Sequence, residues 1–257
     1  MYITYTVQNA VAHITLNRPE KFNSFIREMS LELQAALKAA EADSNVRALL
    51  LSGTGKAFCA GQDLSEAIDP EGPGITRIVE EHYNPIILLM RSIEKPVVAA
   101  VNGVAAGAGA NIALAADIVM AGKSASFIQA FSKIGLIPDS GGTFMLPRLI
   151  GLQRATALMF TADKVSADEA QAMGMIYRSI EDNDLAAASQ ALAEQLAQMP
   201  TRGLGLTKRL LNASMSNNLE QQLKLEGNLQ TAAGSTDDHQ EGVRAFLEKR
   251  KPLFQGK

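Results

Sequence analysis

Two short, almost wholly apolar runs constrain the fold most. They are "VRALLLSG" at residues 46–53 and "KPVVAAVNG" at residues 95–103. Such runs are typical of parallel strands that are covered on both faces. Apolar residues at helical spacing extend from Met29 to Ala40 before the first run, and another helical pattern ends at Ile93 before the second. Strands that alternate with helices in this way predict an α/β fold.

Weaker signals complete the first two-thirds of the chain. "VAHITL" (residues 11–16) alternates as a half-buried strand does, and "DIVMAG" (residues 117–122) predicts a third buried strand. "VAAGAGANIALAAD" (residues 104–117) is expected to lead from a strand into a helix rich in small residues. We expect loops at "GKAFCAGQDLSE" (residues 55–66) and at "DPEGPG" (residues 69–74), the latter because it is rich in Pro and Gly.

The last third is predicted to be helical. Ser166 and Glu169 have the spacing of a capping box, and Gly174 is a natural helix end. From Leu185 onward the pattern is helical almost throughout, with Pro200 separating two helices. The final segment, "EGVRAFLEKRKPLFQGK", predicts an amphipathic helix followed by an extended end.

Composition argues against several classes of protein. The net charge is −3 and no basic run occurs, so we expect no nucleic-acid partner. No stretch is long and apolar enough to span a membrane, and the first residues lack the basic start and apolar run of a signal peptide. The single cysteine, Cys59, rules out an internal disulfide and fits a reducing compartment. We therefore expect a cytoplasmic protein in which Cys59 is a small buried side chain.

Common metal and cofactor motifs do not match. "GKS" at residues 122–124 resembles part of a phosphate loop, but Asp117 stands where the loop needs glycine. "GAGANI" lacks the third glycine of a dinucleotide fingerprint. The three histidines, His13, His82 and His239, have no metal-ligand spacing. We expect neither a metal nor a separate cofactor.

One carboxyl group stands in an unusual place, in "GLIPDSGGT" at residues 135–143. Pro-Asp-Ser-Gly is strong turn chemistry, so the local sequence favours Asp139 as a turn residue. The preceding residues are apolar, and an apolar pocket would raise the pKa of this carboxyl toward a range useful for proton transfer. A turn can also present a catalytic side chain, so both roles are compatible.

Three glycine-rich loops remain: "AFCAGQDL", "NGVAAGAGA" and "IGLIPDSGG". Together with "LNRPEKFNSF" near the start and "FLEKRKPLFQGK" at the end, they resemble the enoyl-CoA hydratase/isomerase (crotonase) superfamily in order and spacing, over essentially the whole chain. The resemblance implies a spiral of ββα units at residues 1–200, with a site for a CoA ester. It also implies a helical trimerisation region at residues 201–257, an acyl-CoA thioester substrate, and a homotrimer or dimer of trimers.

The resemblance assigns two backbone N–H groups to the substrate. When the carbon next to a thioester carbonyl loses a proton, two such donors aimed at the carbonyl oxygen stabilise the enolate. By the family pattern, the donors of this oxyanion hole would be Gln62 and Ala108, in loops whose small residues allow close approach. Other expected substrate neighbours are Ala60, Gly61, Asp63, Gly107, Gly109, Asn111 and Phe131. Asp63 is expected to brace its loop, and Arg18, Lys21 and Lys249 to approach CoA phosphates.

Two glutamates that activate water in hydratases of the superfamily are replaced here. Asn111 and Phe131 stand at their positions, and neither side chain can transfer a proton at neutral pH. In several isomerases of the superfamily an aspartate at the position of Asp139 moves the proton. The resemblance therefore implies an isomerase with Asp139 as the catalytic base.

"FCAGQDL", "FSKIGLIPDSGGT" and "LPRL" are most similar to the phenylacetate-catabolic branch of the superfamily. That branch implies conversion of ring-1,2-epoxyphenylacetyl-CoA to the seven-membered oxepin thioester, with some C3-to-C2 double-bond isomerisation. Three alternatives stay open: an enoyl-CoA hydratase that uses other groups, an aryl-CoA dehalogenase with a nucleophilic aspartate, and a non-catalytic CoA-binding scaffold. Candidates for the wall of the acyl pocket are Ile68, Ile75, Ile78 and Val79.

Overall fold

Ten strands form two sheets in the computed structural model, which describes residues 1–257. The strands are β1 (Ile3–Gln8), β2 (Val11–Leu16), β3 (Ala48–Gly53), β4 (Ala57–Cys59), β5 (Val97–Val101), β6 (Val104–Ala106), β7 (Ile118–Gly122), β8 (Ser126–Ile128), β9 (Lys164–Ser166) and β10 (Arg178–Ile180). The larger sheet has the order β1-β2-β3-β5-β7-β10 and the smaller has the order β4-β6-β8-β9. Apart from the antiparallel pairs β1–β2 and β8–β9, the pairing is parallel.

Helices follow most of the strand pairs. They are α1 (Arg27–Ala42), α2 (Leu64–Ala67), α3 (Gly74–Arg77), α4 (Asn84–Ser92), α5 (Ala108–Leu114), α6 (Gly142–Ile150), α7 (Leu152–Thr161), α8 (Ala167–Ala172), α9 (Asp182–Ala197), α10 (Thr201–Ser214), α11 (Leu219–Gly234) and α12 (Asp237–Leu247). A π-helical turn, Ile78–Tyr83, joins α3 to α4, and 3-10 turns occupy Pro19–Lys21 and Ala130–Ile134. None of these helices has the length and apolar character needed to cross a membrane.

The chain passes repeatedly from one sheet to the other. β3 of the larger sheet leads to β4 of the smaller, and the chain returns through helices to β5; the pattern repeats from β5 through β6 and α5 to β7. This succession confirms the predicted α/β fold made of ββα units, with helices at the C-terminal end. The predicted loop at residues 55–66 is wrong in part, because it contains β4 and the start of α2. The smaller sheet escapes sequence analysis because three-residue strands carry too little periodicity.

Alternate residues of β3 pack on opposite faces of the larger sheet. Leu49 and Leu51 join the main apolar core, whereas Ala48 and Leu50 join a second cluster with residues of α9 such as Leu185. All five residues of β5 are buried. The expectation of strands covered on both faces is therefore confirmed, and the covered sheet gives the loops that follow it a rigid base.

The structure also confirms the predictions about individual helices. The predicted apolar face of α1, which includes Met29, Leu33 and Leu37, is buried. Ser166 and Glu169 form both hydrogen bonds of a capping box at the start of α8. The expected break at Pro200 lies between α9 and α10.

An ion pair between a buried lysine and a partly exposed aspartate connects the C-terminal helices to the larger sheet. Lys208 of α10 lies 2.8 Å from an Asp117 carboxylate oxygen, and Arg91 of α4 lies 3.0 Å from the other oxygen. Burial lowers the pKa of Lys208, and Asp117 opposes that effect. The same carboxylate accepts the backbone N–H of Val97 in β5, so one side chain connects a helix of each region to the sheet. A domain boundary between residues 200 and 201 stays a prediction.

Candidate active site

A cavity of about 260 Å³ lies where the three glycine-rich loops meet. Most of the side chains around it are apolar, and Asp139 is the one carboxylic acid among them. The lining residues are Ala60, Gly61, Gln62, Leu64, Ala67, Ile75, Ile78, Val79, Gly107, Ala108, Ala130, Phe131, Lys133, Ile134, Leu136 and Asp139. The fold thus brings together residues that are far apart in the sequence.

The backbone of Gln62 is oriented by its neighbours. Gly61 accepts the N–H of Phe25 at 2.7 Å, and Asp63 donates its N–H to the Phe25 carbonyl at 2.8 Å. This parallel bridge leaves the N–H of Gln62 pointing to the side opposite Phe25. No backbone or side-chain acceptor in the protein takes that N–H, which is therefore free to serve a ligand in the cavity.

The three glycine-rich loops are numbered in chain order: "AFCAGQDL" is the first, "NGVAAGAGA" the second and "IGLIPDSGG" the third. The second loop comes close to the first at Ala108. A Cβ atom placed on Gly61 would lie 2.9 Å from the Ala106 carbonyl oxygen and 3.6 Å from the Ala108 nitrogen. Only glycine permits this approach, and Gly61 also has a φ of +93°. Ala108 is the first residue of α5, so its N–H has no acceptor within the helix. Gly109 packs its backbone against Cys59 and does not line the cavity.

Side chains hold the first loop from two directions. The Tyr83 hydroxyl donates to Gln62 Oε1 at 2.8 Å, and Gln62 Nε2 donates to Glu66 at 2.7 Å. Asp63 caps α2 and forms a 2.8 Å ion pair with Arg18. Hydrogen bonds from Ser65, followed by the contact with Arg18, lower the pKa of Asp63 despite its burial. Through these contacts Asp63 holds the first loop in place, as expected from the sequence.

Asp139 has a different environment. Burial raises the pKa of its carboxyl above the usual range, a shift that a hydrogen bond from Ser140 partly opposes. No arginine, lysine or histidine lies within ion-pair distance. A half-buried carboxyl in an apolar cavity with a raised pKa has the properties of a general base.

Asn111 supports the main chain of Asp139. Its Nδ2 donates to the Asp139 carbonyl at 2.8 Å, and its Oδ1 accepts from Gln129 Nε2 at 2.8 Å. The side chain is 2% exposed and does not line the cavity. Substrate binding by Asn111 stays a prediction, while its observed contacts fix the loop that carries the carboxyl.

The other expected site residues divide into two groups. Seven of the expected catalytic and substrate residues line the cavity: Ala60, Gly61, Gln62, Gly107, Ala108, Phe131 and Asp139. Six expected residues do not line it: Arg18, Lys21, Asp63, Gly109, Asn111 and Lys249. The guanidinium of Arg18 is engaged by Asp63 and Ser24, whereas Lys21 and Lys249 are exposed. The roles of all thirteen toward a substrate stay predictions.

Three of the four expected wall residues, Ile75, Ile78 and Val79, line the cavity. Ile68 does not; it is 79% exposed, because it follows the short helix α2 on the outer surface. Sequence analysis also missed Lys133, the one lysine of the lining, and Tyr83 behind Gln62. Lys133 lies only two residues after Phe131, an expected site residue, and this proximity could have identified it. Nothing in the sequence connects Tyr83 with Gln62.

Cys59 is fully buried, as expected, and burial raises the pKa of its thiol to about 12. The thiol is therefore protonated at neutral pH and is a poor nucleophile. No group of three His, Cys, Asp or Glu side chains has the arrangement needed to hold a metal ion.

Comparisons with known proteins agree with the geometry. A family model described as enoyl-CoA hydratase/isomerase matches residues 6–257. The chain is 49% identical to the 1,2-epoxyphenylacetyl-CoA isomerase of Escherichia coli K12, over 100% of this chain and 99% of that protein. It is 46% identical to a Rhodobacter capsulatus protein named "Probable enoyl-CoA hydratase", over 99% and 98%. A crystal structure of an enoyl-CoA hydratase from Bacillus anthracis superposes with a TM-score of 0.93 at 32% identity, covering 100% of both chains.

Proposed function

The chain belongs to the enoyl-CoA hydratase/isomerase family of enzymes, and from that premise we propose that it isomerises an acyl-CoA thioester through an enolate. One observation carries the proposal: the Asp139 carboxyl lines the same cavity as Gln62 and Ala108. A base and two free backbone donors around one acyl-sized space are the groups that enolate chemistry needs.

Asp139 is the base in the proposed mechanism. Its carboxylate removes a proton from C2 of the thioester, and the electrons move onto the carbonyl oxygen. The N–H groups of Gln62 and Ala108 stabilise that oxygen, each with about 3 kcal/mol of the barrier. The protonated carboxyl of Asp139 then returns the proton at another carbon, so the enzyme ends in its starting state.

Ring-1,2-epoxyphenylacetyl-CoA is the proposed substrate. The ring expands when the carbon–carbon bond shared by the epoxide and the six-membered ring breaks, while the oxygen stays bonded to both carbons. The electron pair left by the C2 proton becomes a double bond from C2 to the ring, and Asp139 returns the proton to a ring carbon, which gives the oxepin thioester. With a 3-enoyl-CoA, the proton would return at C4 and shift the double bond from C3 to C2. The supporting observations are the apolar wall of Ile75, Ile78 and Val79 and the 49% identity to an isomerase of that name. The corresponding biological role would be phenylacetate catabolism.

Enoyl-CoA hydration is the second candidate, because several relatives carry that name. The residues around the cavity disfavour it. Phe131 forms part of the wall, and Asn111 is occupied by Asp139 and Gln129, so neither position offers a second carboxylate to activate water. A nucleophilic aspartate that forms a covalent aryl-enzyme is the third candidate, and it predicts a trapped adduct.

A substrate panel tests the proposal. Ring-1,2-epoxyphenylacetyl-CoA, cis-3-hexenoyl-CoA and crotonyl-CoA are offered to the wild type and to Asp139→Ala. We expect turnover of the first two by the wild type, little hydration of crotonyl-CoA, and loss of both isomerisations in the variant. Efficient hydration of crotonyl-CoA, or an adduct detected by mass spectrometry, would replace the proposal by one of the alternatives. Tight binding of all three esters without turnover would indicate a scaffold.

We also propose that the protein assembles as a trimer or a dimer of trimers. Large apolar side chains on the C-terminal helices stand in solvent; Leu219 is 73% and Phe246 is 83% exposed. An apolar surface of this kind indicates a protein contact. Lys249 in this region, with Lys21, is proposed to approach CoA phosphates across the assembly, whereas Arg18 is engaged by Asp63. Light scattering coupled to size-exclusion chromatography measures the oligomeric state, and a monomer would contradict the proposal.

A further inference from the structure

Ser140, directly after Asp139, has an unusual backbone conformation. Its φ is +50°, in the left-handed region, although it is not glycine. Glycine would adopt this conformation without the steric cost that a Cβ atom brings. The next two residues are glycines, and Ser140 itself is 2% exposed. Ser140 shares a positive φ with six other non-glycine residues, but it is the one of them that directly follows Asp139, so its hydroxyl is a candidate for a function at the site.

The hydroxyl has one hydrogen-bond partner. Ser140 Oγ donates to Asp139 Oδ1 at 2.9 Å. No other side chain hydrogen bonds to this carboxylate; its other donor is the backbone N–H of Asp139 itself. The strained residue thus reaches the group at the centre of the proposed chemistry.

Other contacts fix the main chain around the carboxyl. The Asp139 carbonyl accepts from Asn111 Nδ2 at 2.8 Å and from the N–H of Gly142 at 2.9 Å. With the backbone held, the freedom left to the carboxylate is rotation about its own side-chain bonds. A donor on one oxygen removes that freedom and directs the other oxygen to a defined place.

We propose that Ser140 is a positioning residue: its hydroxyl holds one oxygen of Asp139, so that the other oxygen faces C2 of the substrate. This inference rests on the proposed role of Asp139 as the base. Ser140 need not touch the substrate, and no atom is transferred to or from it.

The hydrogen bond also has an electrostatic consequence. A donor stabilises the ionised carboxylate more than the neutral acid, and Ser140 opposes the effect of burial on the pKa of Asp139. Removal of the hydroxyl raises that pKa further. The titratable groups nearby are Lys133 in the cavity wall and Tyr83, which burial keeps neutral. The Ser140 substitutions leave both of these side chains in place.

Two substitutions distinguish the effect of the Ser140 hydroxyl from the effect of the backbone conformation of Ser140. Ser140→Ala removes the hydroxyl and keeps the steric cost; Ser140→Gly removes the hydroxyl and relieves that cost. Ser126→Ala is the matched control, because Ser126 is fully buried in β8 and its hydroxyl has no partner. The readouts are kcat, KM and the pH dependence of kcat for cis-3-hexenoyl-CoA.

We expect both Ser140 variants to lose about tenfold in kcat with little change in KM, because a hydrogen bond to a charged group is lost. The acidic limb of the pH profile should move upward by about one pH unit. The control should match the wild type. Two results would overturn the inference: wild-type kcat and an unmoved profile in Ser140→Ala, or full recovery in Ser140→Gly.

The proposed function has its own readout in the same series. If Asp139→Asn keeps wild-type turnover, the assignment of the base fails. If Asp139→Asn is inactive while both Ser140 variants behave as wild type, only the positioning role fails.

Discussion

Two aspartates beside the cavity have opposite electrostatic properties. Asp63 in the first loop is paired with Arg18 and hydrogen-bonded by Ser65, and its pKa is lowered. Asp139 in the third loop has no cationic partner, and burial raises its pKa. Asp63 is buried and Asp139 is half-buried, but only Asp63 has a cationic partner that compensates its charge.

The difference separates a structural role from a chemical one. A paired carboxylate with a low pKa is a poor base, because its proton affinity is already weakened. An unpaired carboxylate in an apolar cavity binds a proton more readily and costs stability while it is ionised. The first loop is therefore held by charged and polar side chains, whereas the third is held through its main chain and leaves its carboxyl available.

The largest expected effect comes from Asp139→Asn. Turnover should fall about a thousandfold, because the amide cannot accept the proton, while the melting temperature stays the same or rises. Kinetics with cis-3-hexenoyl-CoA and thermal denaturation followed by circular dichroism measure the two quantities. A large loss of stability together with the loss of activity would mean that Asp139, like Asp63, has a structural role.

Gly142→Ala tests whether close packing positions the third loop. A Cβ atom on Gly142 would lie 2.4 Å from Asn111 Nδ2, so Asn111 must release the Asp139 carbonyl. Turnover should fall about a hundredfold, as expected for a displacement near 1 Å, and stability by about 2 kcal/mol. Gly227→Ala is the control, since nothing lies within 4 Å of its new atom and alanine favours the helix. Equal kinetics for the two variants would contradict this positioning.

Asp63→Asn should reverse the pattern of Asp139→Asn. Asparagine can still cap α2, so the substitution isolates the ion pair with Arg18. We expect a loss of about 2 kcal/mol in the free energy of unfolding, between the values for exposed and buried pairs, and a smaller kinetic effect. Urea denaturation measures the loss. Glu81→Gln, which breaks the exposed pair with Arg77, should change stability little, and an equal loss there would contradict the account.

The pH dependence should also differ between the two aspartates. The folded-state pKa of Asp63 is below its usual 3.8, so its contribution to stability is present above that pH and is lost as the pH falls through the lower folded-state value. For Asp139 the folded state favours the protonated form. Its contribution to folding stability is therefore present at low pH and is lost as the pH rises through the raised pKa. Turnover should therefore decline on acidification at a pH above 3.8. Melting temperatures and kcat across this range test both signs; a kinetic limb at or below the usual value would contradict the raised pKa.

The smallest expected effect concerns the contact that joins the first loop to the π-helical turn. Tyr83→Phe leaves Gln62 Oε1 without its donor and should cost about 1 kcal/mol of stability. If this contact also orients the Gln62 N–H, kcat should fall about fivefold. Tyr5→Phe on β1, remote from the cavity lining, is the control. Identical kinetics for both variants would limit Tyr83 to a structural role.

Much of the fold is local enough to be read from the sequence. The apolar runs at β3 and β5, the face of α1 and the Ser166–Glu169 capping box each depend on neighbouring residues, and the structure has all of them. The rest depends on distant contacts. The π-helical turn and the three-residue strands of the smaller sheet have no periodic pattern, and their geometry is set by packing.

The site divides along the same line. Motif order identified the loops of Gln62, Ala108 and Asp139, which the structure brings to one cavity. The contacts of Asn111 with the Asp139 carbonyl and of Tyr83 with Gln62 span 28 and 21 residues. Hydrogen bonds of such separation leave no spacing rule in a single sequence. The direction of a side chain after a short helix also cannot be predicted from one sequence, and for this reason Ile68 was expected in the cavity wall although it points to the outer surface.

Exchange of the C2 proton tests the central claim most directly. A saturated acyl-CoA that cannot isomerise is incubated with enzyme in deuterium oxide, and deuterium at C2 is followed by nuclear magnetic resonance. Wild-type enzyme should catalyse exchange, whereas Asp139→Asn should bind the ester equally well and leave C2 unlabelled. Exchange at the wild-type rate in Asp139→Asn would show that another group moves the proton.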